Sequence, residues 1–365
     1  MDIESVESKL QKIVGGTDSY AIWKNPGENI LHFVCGKSLV LNSVRDLGTR
    51  SGFAIAPFSV DADCKVVVIE SDCQFESIKI DEPECLKACK SIGCLGIENL
   101  KSLGDNKPES VYRERFGIFH SAINDGRFEK LVISRKKTIK IDKEFSALKV
   151  FYTACIAYGD SYVYLYNTPY TGVWIGATPE VLLSVKGTNC TTVALAGTKL
   201  YNNNKLPDKW DSKNRVEQNL VTDYLRKIVR NFDPAFKENG PYPVKAGKLI
   251  HLKTVFEFHK EQETELGELL ELIHPTPAVC GLPKREALDF ILENEGYNRG
   301  YYSGFVGKLN IENETQLYVN LRCMNICDNV VTLYAGGGIV KGSVAEDEWI
   351  ETVRKMATMR DLLFD

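Results

Sequence analysis

Short apolar runs separated by glycine and polar clusters fill the first hundred residues. Runs at 30–34, 38–41, 52–55 and 65–69 are rich in β-branched and aromatic residues and predict antiparallel strands. The polar segment 101–110, with Gly104 and Pro108, predicts a loop before a helix over 110–125. From there the periods alternate between two and three-to-four. They predict a strand from Lys130 to Arg135 that continues to Ile141, and a helix over 143–157. Further strands are predicted at 162–166, 181–185 and 191–195, then a helix at 212–231 after a polar loop, 201–211. The runs 305–309, 317–323 and 330–340 follow in succession, as in a meander. Many strands with helices of uneven length between them point to a mixed, mostly antiparallel α/β fold rather than a βαβ series.

The last fifty residues concentrate chemistry. The run from Leu317 to Leu321 ends on Arg322, and the run from Val330 to Tyr334 leads into Gly336, Gly337 and Gly338. Ser343 with Glu346 three residues on has the form of a capping box for the helix that follows. Trp349, Val353 and Met356 should face the core of that helix. Glu348, Glu351 and Lys355 share another face. An arginine, a flexible glycine backbone, two carboxylates and a lysine suit an anionic substrate held with a divalent cation. The plainer alternative is a hairpin, a glycine turn and a surface helix with one Glu–Lys pair, worth about 0.3–0.5 kcal/mol.

Two other positions stand out. Glu217 shares a helical face with Val221, Tyr224 and Ile228. A carboxylate on an apolar stripe is costly unless its head reaches water or meets a cation. His274 precedes Pro275 and Pro277, and this stiffened backbone makes it a candidate site residue.

Composition narrows the class. The chain has 365 residues, 44% of them hydrophobic, enough for one large domain or two closely joined halves. A net charge of −4 argues against a nucleic-acid binder resting on a basic surface. No apolar run approaches the ~18–20 residues of a membrane span. The acidic, polar start lacks a signal-peptide core, so a soluble cytoplasmic protein is the expectation. The 11 cysteines show no paired spacing; Cys155, Cys190 and Cys323 read as small core residues. Cys85, Cys89 and Cys94 match no zinc or iron–sulfur pattern. The glycines end in no Gly-Lys-Ser/Thr, which excludes a P-loop.

Eight segments in order carry a resemblance. They are EKLVISR at 129–135, GVWIGATPEVLL at 172–183, ALAGT at 194–198, SKNRVEQ at 212–218 and HPTPAVCGLP at 274–283. RGYYSGFVG at 299–307, LYVNLRC at 317–323 and YAGGGIVKGSVAEDEWIETVRK at 334–355 complete the set. Together they resemble the chorismate-utilising enzymes, which include isochorismate and salicylate synthases and the large subunits of anthranilate and aminodeoxychorismate synthases. The resemblance spans roughly residues 112–361.

It implies an α/β (α+β) fold, a single large domain of two packed, mainly antiparallel sheets with helices outside. Residues 1–110 would be an N-terminal scaffold, and 111–365 the chorismate-binding catalytic region of that integrated domain. Carried over by motif, Glu217 and Glu351 would hold Mg²⁺, with Glu348 in or next to that shell. Arg322 and Lys355 would bind substrate carboxylates. Gly197, Thr198, Gly336, Tyr302 and His274 would complete the chorismate pocket. Lys130 matches the lysine that activates water in isochorismate and salicylate synthases, where anthranilate synthases usually have glutamine. Glu180 matches the general acid. Ala196 stands where aminodeoxychorismate synthases often carry a nucleophilic lysine.

The activity implied is isochorismate synthesis, for menaquinone or a siderophore. Salicylate synthesis, an anthranilate synthase large subunit and a non-catalytic chorismate-binding module are the alternatives. The resemblance implies no glutamine amidotransferase subunit. Asn214 replaces a usual acidic residue, Gly337 a common alanine, and Val344-Ala345 the usual Asp/Ser-Pro.

Overall fold

A computed structural model describes residues 19–71, 76–79, 102–103, 108–141, 145–201, 209–247, 249–260 and 265–363. Cys85, Cys89 and Cys94, the acidic start and most of the two polar loops lie outside these residues. The strands are β1 (Tyr20–Lys24), β2 (Ile30–Leu41), β3 (Gly52–Ala56), β4 (Val66–Ser71), β5 (Glu76–Lys79) and β6 (Ser102–Leu103). Next come β7 (Lys130–Lys140), β8 (Tyr162–Asn167), β9 (Val173–Thr178), β10 (Val181–Lys186), β11 (Asn189–Leu200) and β12 (Lys237–Ala246). The last are β13 (Leu249–His259), β14 (Gly281–Leu282), β15 (Phe305–Ile311), β16 (Glu314–Val319), β17 (Cys323–Cys327) and β18 (Val330–Ile339). The helices are α1 (Pro108–Asn124), α2 (Ala147–Ala157), α3 (Ser212–Phe232), α4 (Glu265–Ile273), α5 (Lys284–Asn294) and α6 (Ala345–Arg360).

Every strand pairing is antiparallel. One sheet runs β5-β2-β1-β8-β9-β17-β18-β7, with the short β6 and β14 on β7. The other runs β2-β4-β3-β15-β16-β10-β11-β13-β12. Strand β2 belongs to both. The pattern predicted two strands there; the chain instead passes through Gly36 without a turn, pairing first with β5 and then with β4.

The sheets pack through an aromatic core that includes Trp23, Phe53, Tyr162, Tyr164, Tyr166, Trp174 and Tyr318. Tyr162 and Tyr318, from opposite sheets, stack at 4.0 Å. Helices α3 and α4 cover the outer face of one sheet; α2 and α6 cover the other. Helices α1 and α5 pack against β7 through Phe119, Phe290 and Ile133. Period-two burial on both faces of the strands therefore makes a four-layer stack.

Three local expectations change. The last three runs do not form a meander. β15 and β16 pair in one sheet, β17 and β18 in the other, and the chain crosses between them at Asn320–Arg322. Arg322 sits there at φ +46°, in the left-handed region that few non-glycine residues adopt. The capping box does not form: α6 starts at Ala345, and Ser343 Oγ instead accepts the Val340 N–H across a turn. Val353 is exposed and Trp349 half-buried, because the helix is covered on one side by β18 and only edged by α1; Met356 alone of the three is buried.

A buried ion pair ties the layers at one end. Arg299 and Glu295 are both almost wholly buried and meet through two bonds, 2.6 and 2.7 Å. Arg299 also donates to the carbonyls of Val279 and Val132, and Glu295 accepts the Ser134 N–H at 2.6 Å. Removing one partner strands the other charge. Arg299→Met is expected to lower unfolding free energy by about 3–5 kcal/mol in a denaturant titration. Arg299→Met combined with Glu295→Gln should recover part of that loss.

Candidate active site

The site lies in the seam where the two sheets and α3 and α6 converge. Lys130 opens β7, beyond the polar turn that ends α1, and is fully buried. Its Nζ is 3.2 Å from Glu217 Oε1, an ion pair that lacks hydrogen-bond alignment. Glu217 and Lys213 come from the first turns of α3. Asp211 caps that helix by accepting the Asn214 N–H, and Gln218 stitches it to β11 by accepting the Ala196 N–H. The predicted anomaly on the apolar face of α3 is thus resolved by cations rather than by water.

Helix α6 supplies Glu348, Glu351 and Lys355. Lys213 reaches Glu348 Oε1 at 2.8 Å and Glu217 Oε2 at 3.8 Å. Lys355 pairs with Glu351 at 2.7 Å and donates to the Gly336 carbonyl at 2.9 Å. The glycines that precede α6 are not a loop. They lie in β18, with Gly336, Gly337 and Gly338 opposite Ser134, Ile133 and Val132 of β7. Their contribution is space. A Cβ on Gly338 would stand 2.1 Å from Glu217 Oε1, and one on Gly337 2.9 Å from Glu348 Oε2.

The cavity beside this cluster is narrow, about 60 Å³. Glu180, Gly197, Thr198, Glu217, Tyr302, Arg322, Gly336 and Lys355 all line it. Lys130, Glu348 and Glu351 stand behind that wall, joined to it through Glu217, Lys213 and Lys355. Gly197 adopts φ +70° at a register shift in β11, and Asn214 Oδ1 accepts the Thr198 N–H at 2.8 Å. The amide that replaces the usual carboxylate therefore shapes the bulge.

His274 is not in the cavity lining. Its Nε2 donates to the Pro57 carbonyl at 2.9 Å and its ring meets Phe305 edge-on, so its place is structural. The site histidine is His251 on β13, opposite Thr198 of β11. Its Nδ1 lies 3.1 Å from the Gly197 carbonyl and its Nε2 3.0 Å from Arg322 Nη2. A carbonyl only accepts, so Nδ1 carries the proton and Nε2 receives the guanidinium N–H. Burial and then the Arg322 charge hold His251 well below its ordinary pKa, consistent with a neutral ring that aims Arg322. Local sequence marks such a histidine poorly, since the pairing of β13 with the Gly197 bulge is long-range.

Electrostatics separates the ionisable groups. Burial lowers the Lys130 pKa, against the raising effect of Glu217. Burial pushes Glu180 up to about 7, opposed by Lys130, Lys355 and Arg322. Burial alone would raise Glu217 and Glu351, but neighbouring lysines hold both lowered. Burial carries Glu348 up to about 7 despite Lys213, and its Oε2 has no hydrogen-bond partner. Burial alone would lower Lys213; the three carboxylates raise it.

Among the described residues no three acidic, histidine or cysteine groups already stand as a ready metal shell. Lysines occupy their oxygens instead. The donor set is nevertheless all-oxygen, and one buried carboxylate oxygen is unsatisfied, which fits a hard dication.

A raised carboxyl pKa makes folding favour the protonated form, so its stability contribution falls as pH rises from the ordinary carboxylate range through about 7. Glu180→Gln is therefore expected to stabilise the fold at pH 8, by roughly 2–3 kcal/mol. Melting curves should show the gain shrinking towards pH 5.

Comparison with known proteins places the geometry. The family model "Chorismate binding enzyme" matches residues 94–364. Isochorismate synthase EntC of Escherichia coli K12 is 33% identical over 196 residues, 52% of this chain and 50% of that protein. Isochorismate synthase DhbC of Bacillus subtilis is 34% identical over 195 residues, 51% of this chain and 49% of that protein. The chain thus spans about half the length of these curated relatives. The solved structure of MenF, the menaquinone-specific isochorismate synthase from Escherichia coli, covers 95% of this chain and 89% of its own, with TM-score 0.76 and 21% identity. Among the described residues no helix is long and apolar enough to cross a membrane. The two-sheet fold and the family match over most of the chain have one reading: it belongs to the chorismate-binding enzymes.

Proposed function

We propose that this chain converts chorismate to isochorismate with Mg²⁺ present. The observation that carries the proposal is the pair Lys130 and Glu180. Burial drives their pKa values toward each other, one amine downward and one carboxyl up to about 7. Such a pair can hold a neutral base and a protonated acid in one site. The names of the two curated relatives, both isochorismate synthases, support the same reaction.

In this mechanism Lys130 takes a proton from a water that attacks ring C2. Glu180 gives its proton to the departing C4 hydroxyl, which leaves as water. The ring double bonds shift, and one water enters for each one lost. Arg322, aimed by His251, and Lys355 hold the substrate carboxylates. Gly197, Thr198, Gly336 and Tyr302 complete the walls. Glu217 and Glu351, with Glu348 beside them, would hold Mg²⁺, which supplies charge neutralisation at a substrate carboxylate. Isochorismate made this way would feed menaquinone or a siderophore. No glutamine amidotransferase subunit is required, since water is the nucleophile.

Purified protein incubated with chorismate and Mg²⁺, with and without ammonium, tests the reaction by product chromatography. Isochorismate alone is expected. Salicylate with pyruvate would move the chain to the salicylate synthases, and anthranilate appearing only with ammonium would overturn the water-activating role. No product at all would leave a binding module. Lys130→Ala should cut kcat by about 10²–10⁴-fold with chorismate binding retained.

The pH profile gives a second check. Turnover needs Lys130 neutral and Glu180 protonated. The profile of kcat/KM should therefore be bell-shaped, falling on the alkaline side as Glu180 loses its proton from about 7 upward and on the acid side as Lys130 gains one. A profile that stays flat across pH 6–9 would contradict the assignment.

A further inference from the structure

A second cavity lies further along β7 than the catalytic cleft, past Val132. Val132 lines the cleft, whereas Ser134 to Thr138 line the second cavity. It encloses about 480 Å³, within the ~300–1,000 Å³ of small-molecule sites. Helix α1 and the outer side of α6 form its walls.

Its charge is one-sided. Arg115, Arg135, Lys136 and Lys137 line it, and no carboxylate does among the described residues. Arg360 is also there but is paired with Asp361. The other four have no acidic partner among the described residues. Arg135 is half-buried: its Nε donates to Thr352 Oγ1 at 2.6 Å, and its guanidinium lies 3.9 Å over the Trp349 ring. Burial lowers its pKa to about 10. A partly desolvated cation without a counter-ion favours a bound anion.

Two further observations point to a ligand. Tyr112 is 3% exposed, lines the cavity, and its hydroxyl has no partner among the described residues. Buried hydroxyls usually find one. Gly296, at φ +77°, leaves room for a guanidinium: a Cβ there would stand 2.5 Å from Arg115 Nη2. The aromatic faces are also arranged, with Tyr112 5.4 Å from Trp349 and Lys136 over the Tyr297 ring.

We propose that this cavity binds a small organic anion, a carboxylate or phosphate ester carried on a flat ring. The guanidinium and ammonium groups, all donors, take the anionic head. Trp349, Tyr297 and Met356 take the ring. The site is independent of the catalytic reading, since it shares no lining residue with the cleft.

Calorimetric titration of the full chain tests it, with 1-naphthoate and 1-naphthyl phosphate as probes and neutral 1-naphthalenemethanol as control. One saturable site is expected for at least one anion, and the tighter of the two identifies the head group. The neutral control should bind at least tenfold more weakly. Arg322→Ala, which disables the catalytic clamp, should leave the anion affinity unchanged. Arg115→Gln combined with Lys136→Gln changes partly exposed side chains and should weaken it at least tenfold in a folded protein. Arg135→Gln should weaken it further. No saturable binding, equal binding of the neutral control, or affinity lost in Arg322→Ala but kept in Arg115→Gln/Lys136→Gln would each overturn the proposal.

Discussion

Opposite charges buried along the seam between the two sheets are the constraint on which the rest depends. Glu217, Glu348 and Glu351 enter the seam from two helices, and Lys213 and Lys355 answer them, with Lys130 packed 3.2 Å from Glu217. Any one of these ions alone would cost several kcal/mol to bury. Held together they neutralise one another. The glycines of β18 follow from this requirement, since a methyl group at Gly338 would collide with the Glu217 carboxylate. The packing of α3 and α6 against the strands is thereby coupled to the ionisation of the site.

Glu180 and Lys130 show how the same burial produces chemistry. Both are removed from water, so each is pushed toward its neutral form. The lysine lies next to a carboxylate that opposes the shift, and the acid lies among cations that oppose its own. The balance leaves the Lys130 pKa lowered and that of Glu180 raised to about 7, at a cost in stability that the surrounding core covers.

Arg322 depends on topology. It occupies the link where the chain leaves one sheet for the other, in a left-handed conformation, with His251 from a third segment orienting it. Strain of this kind persists where the surroundings over-determine it, and here β16, β17 and β13 do so. Strand β7 and helix α6 also line both the cleft and the cationic cavity, so a single strand and a single helix serve two electrostatic environments.

Much of this was legible in local pattern. The period of β7, the amphipathic face of α3 that singled out Glu217, and the shared face of Glu348, Glu351 and Lys355 all follow from side-chain geometry that repeats along one element. The resemblance of eight ordered segments extended that reading to the family. Other features were not local. His274 had the more conspicuous sequence setting, yet it bonds to Pro57, and His251 reached the cleft because β13 pairs with the bulge at Gly197. Three successive strands looked like a meander, but a strand's period does not say which sheet it joins. By itself the sequence determined many of the strands and helices and the buried faces of β7 and α3, because those depend on neighbours a few residues away. Only the tertiary structure decided which charges meet, which histidine holds Arg322 and where a glycine is needed for room, because those depend on contacts between residues far apart in the chain.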